Sequence, residues 1–543
     1  MNRIISVVFL LTCSFLLRAQ SWTDTTAQIE KIFSRYAADR PGTELAIMRN
    51  GKIIFSKAWG MADLEHDVKL STISPTEAGS VSKQFTSAAI LLLEQQGKLS
   101  VNDDIRKYLP EVPDYGHPIL IRHLMEHTSG LKDWGSVAEV AGWPRSTKTY
   151  SNADALYIVS RQKTLNNIPG AEYIYSNSNY NLLAIIVDRL SGMTMAEFTR
   201  KYIFEPAGMK HTEWRDDFKR IVPNRAIAYS WNQKGYQTNM PNEYVYGNGG
   251  LLTTAEDLLL WNDYYGNGRL GNPSILKSQT TPYPFNNGTP HNYAAGLVIG
   301  SYKGWKTISH TGATASYRSS LEFYPELGLS IAWLSNTSQF DGAPLYVPGA
   351  VAELMVGQKG ELAKKEEVKP AITSETALTN FAGWYRNERS GAGMNMIVKD
   401  GKLLIAPSTA VTVTGDRSFL IGDTRFEVNG DWKKGLRRIS ASRDTALFTR
   451  ATPAVADSVA LLAYLGKYYS AEADATYELI LKGGKLTMHM QPEDWYTLDP
   501  TYKDAFDFDQ GNLYFTRNKK NAVTGFMVSV SRARNIWFEK VSR

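Results

Sequence analysis

Apolar and polar positions change rhythm several times along this chain. Glu44 to Met48 and Ile53 to Ala58 carry strand-like runs on either side of Asn50-Gly51. That dipeptide is a hairpin signal, because both central residues of the tight turn need positive φ. Ser320 to Phe323 and Leu329 to Leu334 read as a second strand pair. The stretch between them is rich in helical spacing. Phe85, Ala88, Ala89, Leu92 and Leu93 share one face of a helix that Gln95-Gln96-Gly97 ends, with Gly97 as its stop. Tyr180 to Leu190 forms a longer amphipathic run. Strands from both ends of this region then form one sheet, which predicts an α/β (α+β) domain of antiparallel sheet and helices over 21–358.

The pattern changes after 358. Residues 359–376, with Lys364-Lys365-Glu366-Glu367, are polar and read as a linker. Beyond it short strands repeat. Phe381-Ala-Gly-Trp-Tyr385 returns as Tyr464-Leu-Gly-Lys-Tyr468, and Met396 to Leu403 returns as Leu479 to Leu486, both at a shift of 83. Over 381–405 against 464–488, 8 of 25 positions are identical without a gap. Two copies of a small antiparallel β unit follow, over 377–451 and 460–543, each closing into a barrel to hide its strand edges. Their Trp384, Tyr385, Tyr468, Tyr469, Trp495 and Trp537 are expected in the barrel cores.

The N-terminus differs from everything after it. Arg3, the apolar run Ile4 to Leu17 and the small-residue stretch Arg18-Ala19-Gln20-Ser21 read as a signal peptide over 1–20, so the protein is expected to be secreted or periplasmic. The run is too short for a stable membrane span. Cys13, the chain's one cysteine, lies inside it. Thr12 before it departs from the Gly, Ala or Ser of lipoprotein sites, which argues against lipidation. Removing the leader removes disulfides, thiol catalysis and cysteine-bound zinc together. The net charge of +6 comes without basic blocks, which excludes a nucleic-acid footprint. A mean hydropathy of −0.30 over 543 residues excludes a multi-span membrane protein.

A serine with a lysine one helical turn later can become a nucleophile, because the lysine lowers the cost of removing the hydroxyl proton. Four such pairs occur: Ser80/Lys83, Ser129/Lys132, Ser160/Lys163 and Ser274/Lys277. Only Ser80 opens a long apolar helix, where backbone N–H groups favour developing negative charge. Tyr-x-Asn occurs five times, at Tyr150, Tyr175, Tyr246, Tyr265 and Tyr385. At Tyr150-Ser-Asn152 and Tyr175-Ser-Asn177 the plain structural role is a helix N-cap by Ser or Asn. Only Tyr175 also follows Pro169-Gly170 and precedes the Tyr180 run. His-x-Gly occurs once, at His310-Thr311-Gly312, in a chain with eight histidines.

In this order and spacing, Ser80-Val-Ser-Lys83, Tyr175-Ser-Asn177 and His310-Thr-Gly312 resemble the penicillin-recognising serine hydrolases. The most similar branch is the class C β-lactamase-like one, with D-alanyl-D-alanine carboxypeptidases, D-aminopeptidases and esterases. Arg122 to Gly130, Phe204 to Met209 and Gly247 to Asp257 share the resemblance, which covers roughly 30–340. It implies that Ser80 attacks an acyl carbonyl while Lys83 and Tyr175 share base and proton-relay duty. Asn177, His310, Thr311 and Gly312 would bind substrate, and the N–H groups of Ser80 and Ala313 would form the oxyanion hole. The two repeats resemble the lipocalin-like barrels appended to some D-aminopeptidases, and a barrel loop is expected to reach the active-site mouth and restrict substrate length.

The third motif departs from the Lys-Thr-Gly usual in β-lactamases. A histidine there is neutral or charged near pH 7, whereas lysine is a fixed cation for a β-lactam carboxylate. The expected activity is therefore hydrolysis of small amides or peptides, D-residue-containing ones among them, through a Ser80 acyl-enzyme. A β-lactamase or carboxyl-esterase with the same machinery is the first alternative, and a penicillin-binding sensor that does not turn over is the second. No cofactor is called for, and the one expected partner is a small-molecule or peptide substrate. His123-Leu-Met-Glu126-His127 spells the inverted zinc-peptidase motif, but Thr128-Ser129-Gly130 ends its helix at once, so no metal is expected.

Overall fold

The computed structural model describes residues 22–541 apart from 146, 341–342, 345–346, 361–374, 441–443, 455–457 and 491–493. The expected leader and most of the expected linker lie outside the described residues. Six antiparallel strands form the central sheet: β1 (Thr43–Arg49), β2 (Lys52–Trp59), β3 (Val298–Tyr302), β4 (Trp305–Thr314), β5 (Tyr317–Tyr324) and β6 (Leu329–Ser335). Their order is β3-β4-β5-β6-β1-β2, so strands from the two ends of the region pair directly. Asn50 (φ 50°) and Gly51 (φ 75°) make the β1–β2 turn as their residue types require.

Helices cover both faces of this sheet. On one side lie α1 (Lys83–Gln95), α3 (Asn177–Ser191) and α4 (Ala255–Gly266), with Phe85 and Trp261 packed at 4.7 Å between ring centroids. The helices Trp22–Ile32 and Pro348–Met355 cover the other side. Every residue of α1 from Lys83 to Leu93 is buried, its polar members included. Gly97 (φ 70°) follows its end, as expected. A fully buried helix is what allows a lysine near its start to sit away from water.

Two nine-stranded antiparallel sheets follow, within 383–451 and 466–540. The end strands of the first, Thr409–Ala410 and Thr412–Gly415, are almost consecutive in the chain, and each sheet curls nearly closed. The repeat has a common physical core. Tyr385 and Tyr468 are both buried, and each hydroxyl donates to the carbonyl four residues back, at 2.9 Å to Phe381 and 2.7 Å to Tyr464. Tyr469 and Trp495, expected inside, are 39% and 45% exposed. Tyr469 follows the inward Tyr468 on one strand, where successive side chains face opposite sides. Trp495 stacks outside on His489 at 4.4 Å.

The second barrel docks on the first domain. Val137 and Val140 of α2 (Trp134–Val140) join its apolar core, and Tyr477 donates to the Val140 carbonyl at 2.6 Å. A buried ion pair, Lys132 Nζ to Glu472 Oε2 at 2.9 Å, ties the same interface. No helix among the described residues is long and apolar enough to cross a membrane.

Candidate active site

Ser80 lies in the single 3-10 turn Gly79–Ser82 that leads into α1. Two glycines let this turn touch the sheet. Gly79 has φ 50°, and a β-carbon on it would stand 2.8 Å from the Ala313 nitrogen. One on Gly312 would overlap the Ala78 carbonyl. Pairing of β3 with β4 stops at Ser309, which leaves the segment 310–314 of β4 with a free edge for the turn that carries Ser80. Ser319 Oγ, on the neighbouring strand β5, donates to Ala78 O at 2.6 Å and ties the start of the turn to the sheet. The Ala313 amide therefore adjoins the turn that carries Ser80.

Two side chains converge on the Ser80 hydroxyl. Lys83 Nζ donates to Ser80 Oγ at 3.0 Å, and Tyr175 Oη donates to it at 2.8 Å. Lys83 also donates to Asn177 Oδ1 at 3.0 Å and to the Asn248 carbonyl. Its Nζ stands 4.9 Å from the Tyr175 ring centroid and 5.4 Å from that of Tyr180. Burial, then the positive charges of Arg532 and Arg145, hold the Lys83 pKa well below the ordinary lysine value, with Asp133 opposing them. Burial pushes the Tyr175 hydroxyl in the other direction, far above neutrality.

Helix α3 begins at Asn177, but its cap is not the expected one. Ser151 caps the Asn152–Ser160 helix by accepting from Asp154 N–H, whereas the Ser176 hydroxyl makes no such bond. Asp133, at the start of α2, takes that place: its Oδ2 accepts from Asn177 N–H at 2.5 Å. A carboxylate there also suits the positive end of α3.

His310 is buried, and its ring lies between two partners. Nδ1 donates to the Thr311 carbonyl at 2.6 Å, which assigns the proton to that nitrogen and leaves Nε2 to accept from Tyr293 Oη at 3.0 Å. Burial and the nearby Lys83 charge lower its pKa to about 4, so the imidazole is neutral at pH 7. Tyr293 in turn packs on His127, and His127 packs on Tyr175 at 4.1 Å.

The competing motifs scatter. Lys132 is spent on Glu472, and Ser129 Oγ donates to Asn179 at 2.7 Å. Ser160 bonds back to its own helix, and Ser274 caps with Asn272 on an exposed one. Tyr150 donates to the Trp143 carbonyl at 2.5 Å. His123, Glu126 and His127 turn to separate partners: Leu120 N–H, Tyr283 N–H and Ser176 N–H.

All the residues singled out around Ser80 line or underlie one cavity of about 440 Å³. Ser80, Tyr175, Asn177, His310, Thr311, Gly312 and Ala313 line it, with Lys83 beneath. Sequence reasoning missed Asn248, Asp133, Tyr293, Arg145, Arg318 and Arg532. Asn248 sits inside the Gly247 stretch already singled out, so its signal was present. Arg532, from the far end of the chain, carried none.

Residues 29–354 match the family model described as Beta-lactamase, well over half of the chain. The chain belongs to this β-lactamase family. With membership comes the enzyme class, a β-lactamase-related serine hydrolase. Among relatives, Penicillin-binding protein 4* of Bacillus subtilis (strain 168) is 27% identical over 371 residues, covering 63% of this chain and 79% of the relative. A D-aminopeptidase of Brucella anthropi is 24% identical over 523 residues, 92% of this chain and 95% of its own. For some family relatives the match is shorter: it spans 52% of the D-aminopeptidase of Gluconobacter oxydans (strain 621H), at 27% identity and 51% of this chain. The octameric penicillin-binding protein homologue of Pyrococcus abyssi shares the fold with a TM-score of 0.53 at 21% identity, covering 87% of this chain and 99% of that one.

Proposed function

We propose that the protein is an exported serine hydrolase that opens small amides or peptides, D-residue-containing ones among them, through an acyl-enzyme on Ser80. The observation that carries this reading is the convergence of Lys83 Nζ and Tyr175 Oη on one hydroxyl, at 3.0 and 2.8 Å. The D-aminopeptidase names among its relatives and the apolar leader-like run Ile4 to Leu17 support the substrate class and the export.

Lys83 in its amine form takes the Ser80 proton, because burial and neighbouring cations favour that form. Tyr175 keeps its own proton near pH 7, so it relays rather than initiates. Ser80 Oγ then bonds to the substrate carbonyl carbon, and the carbonyl oxygen takes up the negative charge. The N–H groups of Ser80 and Ala313 accommodate that charge, each donor being worth about 3 kcal/mol of barrier. The proton held by Lys83 passes through Tyr175 to the leaving amine as its bond to carbon breaks. Water, activated by the same pair, releases the acid and restores Ser80. Asn177, held by Lys83 and Asp133, holds the substrate amide. A neutral His310 is a poor counter-ion for a β-lactam carboxylate, which favours the amide reading over the β-lactamase one.

The test is a rate panel of D-amino-acid amides, D-Ala-D-Ala peptides, a cephalosporin and nitrophenyl esters, with intact-mass detection of the adduct. Turnover of the amides with a Ser80 adduct is expected, and Ser80→Ala should lose both. An adduct or turnover that persists in Ser80→Ala overturns the assignment. One stoichiometric acylation without turnover would establish a sensor instead.

A further inference from the structure

Both barrels reach one carboxylate beside the segment that carries Tyr175. Glu172 stands three residues before Tyr175, and its side chain is 5% exposed. Its Oε2 accepts from Arg389 Nη1 at 2.7 Å and from Arg534 Nη1 at 3.1 Å. Arg389 lies in the turn between β7 (Gly383–Asn387) and β8 (Gly393–Lys399) of the first barrel. Arg534 lies on β9 (Ala533–Lys540) of the second. Among the described residues, Arg389–Glu172 is the one ion pair that joins the first barrel to the first domain.

Arg389 is held ready for this contact from two sides. Its Nη1 also donates to Asp444 Oδ1 at 3.0 Å and its Nη2 to the Thr445 carbonyl, so its own barrel fixes the plane of the guanidinium. The second barrel fixes the turn. The successive carbonyls of Arg389, Ser390 and Gly391 accept from Asn535 Nδ2 at 2.8 Å, Asn512 Nδ2 at 3.0 Å and Tyr502 Oη at 2.6 Å. Gly391 has φ 73°, and a β-carbon on it would overlap the Tyr514 ring. A turn bound this way has a single seat.

The first domain supplies the other half of the junction. Residues 173–176 carry neither helix nor strand, and the chain before Tyr175 is tied by two carbonyls. Thr128 O accepts from Gly170 N–H at 2.8 Å, and His127 O accepts from Ile174 N–H at 2.9 Å. Glu172 lies midway between these ties and is fixed through its side chain. Tyr173, the next residue, packs its ring on His127 and Tyr293, at 6.0 and 5.5 Å between centroids. A buried carboxylate is costly unless it stays paired, so Glu172 must follow the two guanidiniums. A shift of either barrel is thus passed to the chain three residues from Tyr175. The second barrel also reaches the Ser80 cavity directly, through Arg532, whereas no described residue of the first barrel lines it.

We infer that Glu172 is a positioning residue for Tyr175, through which Arg389 and Arg534 make the reach of Tyr175 to Ser80 depend on the seating of both barrels. The inference rests on Tyr175 serving Ser80 as proposed above. It gives the first barrel a share in the rate although that barrel stands outside the cavity.

The test places Arg389→Met and Arg389→Lys in the full-length wild type and in Tyr175→Phe. Rates on D-alanine 4-nitroanilide and 4-nitrophenyl acetate are read as kcat and KM. Hydrogen exchange is read by mass spectrometry over 170–176, with 83–95 as the control segment. Arg389→Met should lower kcat about 10- to 100-fold with KM unchanged, the scale of a misplacement of about 1 Å. Arg389→Lys, which keeps the charge and loses the fork, should recover part of it. In Tyr175→Phe the same change should cost less than about 2-fold, because two residues acting through one group are not additive. Exchange over 170–176 should quicken in Arg389→Met, and exchange over 83–95 should not.

An unchanged kcat, an equal loss in both backgrounds or unchanged exchange over 170–176 overturns the positioning role. An equal loss would mark Arg389 as a merely structural residue. A wild type that forms no Ser80 adduct overturns the acyl-enzyme reading instead, and faster exchange confined to 170–176 in Arg389→Met would then still support the hold on Tyr175.

Discussion

Asp133 N–H donates to the carbonyl of Arg532 at 3.2 Å, across the boundary between the catalytic domain and the second barrel. The same aspartate uses its carboxylate to hold Asn177 N–H at 2.5 Å. One residue thus couples the seat of the barrel to the start of the helix that carries Asn177. Docking of the barrel and placement of the cavity-lining asparagine are therefore not independent.

That coupling predicts a pH effect. In the proposed mechanism Lys83 acts in its amine form, so kcat/KM is expected to rise with pH through the Lys83 pKa. Asp133 holds that pKa up against burial and the arginines. Asp133→Asn keeps an acceptor for Asn177 N–H but deletes the negative charge, so the Lys83 pKa falls further. The acid limb of the kcat/KM profile should move to lower pH. Asp133→Ala should in addition lose the cap of α3, about 0.5–2 kcal/mol of stability. Rate profiles together with urea unfolding check both.

Tyr175→Phe removes the hydroxyl proposed to relay the proton while leaving the ring between its neighbours. A loss of about 10²- to 10⁴-fold in kcat is expected, the usual worth of a positioned acid–base group. The melting temperature should change little, because the ring contacts with His127 and Arg532 remain. A melting temperature that falls with the activity would assign Tyr175 a structural role instead.

The interface ion pair should matter through its burial. Lys132 and Glu472 side chains are 0% and 4% exposed. Lys132→Met strands a buried carboxylate, at a cost of about 3–5 kcal/mol. Pairing it with Glu472→Gln removes that charge and keeps the acceptor that Lys163 N–H uses at 3.1 Å. The double variant should recover most of the loss. Thermal unfolding of the two single variants and the double one reads it.

Two buried histidines predict acid sensitivity. His310 and His123 have pKa values lowered by burial from 6.5 to about 4. Between those values the unfolded chain binds more protons than the folded one, so stability falls as pH drops from about 6.5 toward 4. Replacing His123 with Gln should flatten this slope. Unfolding free energies measured at several pH values across the window provide the check.

Much of this was legible before any coordinate. The Asn50-Gly51 turn, the helix over Phe85 to Leu93 and the 83-residue repeat follow from rules that act within a few residues: turn φ, helical period and strand alternation. The choice of Ser80 over three similar serines rested on the helix it opens. Other features escaped because their cause lies far away in the chain. Ser176 looks like a cap, yet Asp133 supplies the bond. Lys132 looks like a base beside Ser129, yet it meets Glu472 of a barrel more than three hundred residues later. Tyr469 resembles its neighbour Tyr468 in type and differs only in the side of the strand it faces.

The sequence by itself determined the kinds of chemistry and of structure open to this chain: an oxygen nucleophile with a lysine and a tyrosine, one mixed domain and two repeated β units. Only the tertiary structure decided which groups share a cavity and which lysine is dehydrated there. The reason is physical. Backbone preferences are set by neighbours in sequence, whereas burial and electrostatic partners are set by neighbours in space, and Arg532 reaches Tyr175 only through the second kind.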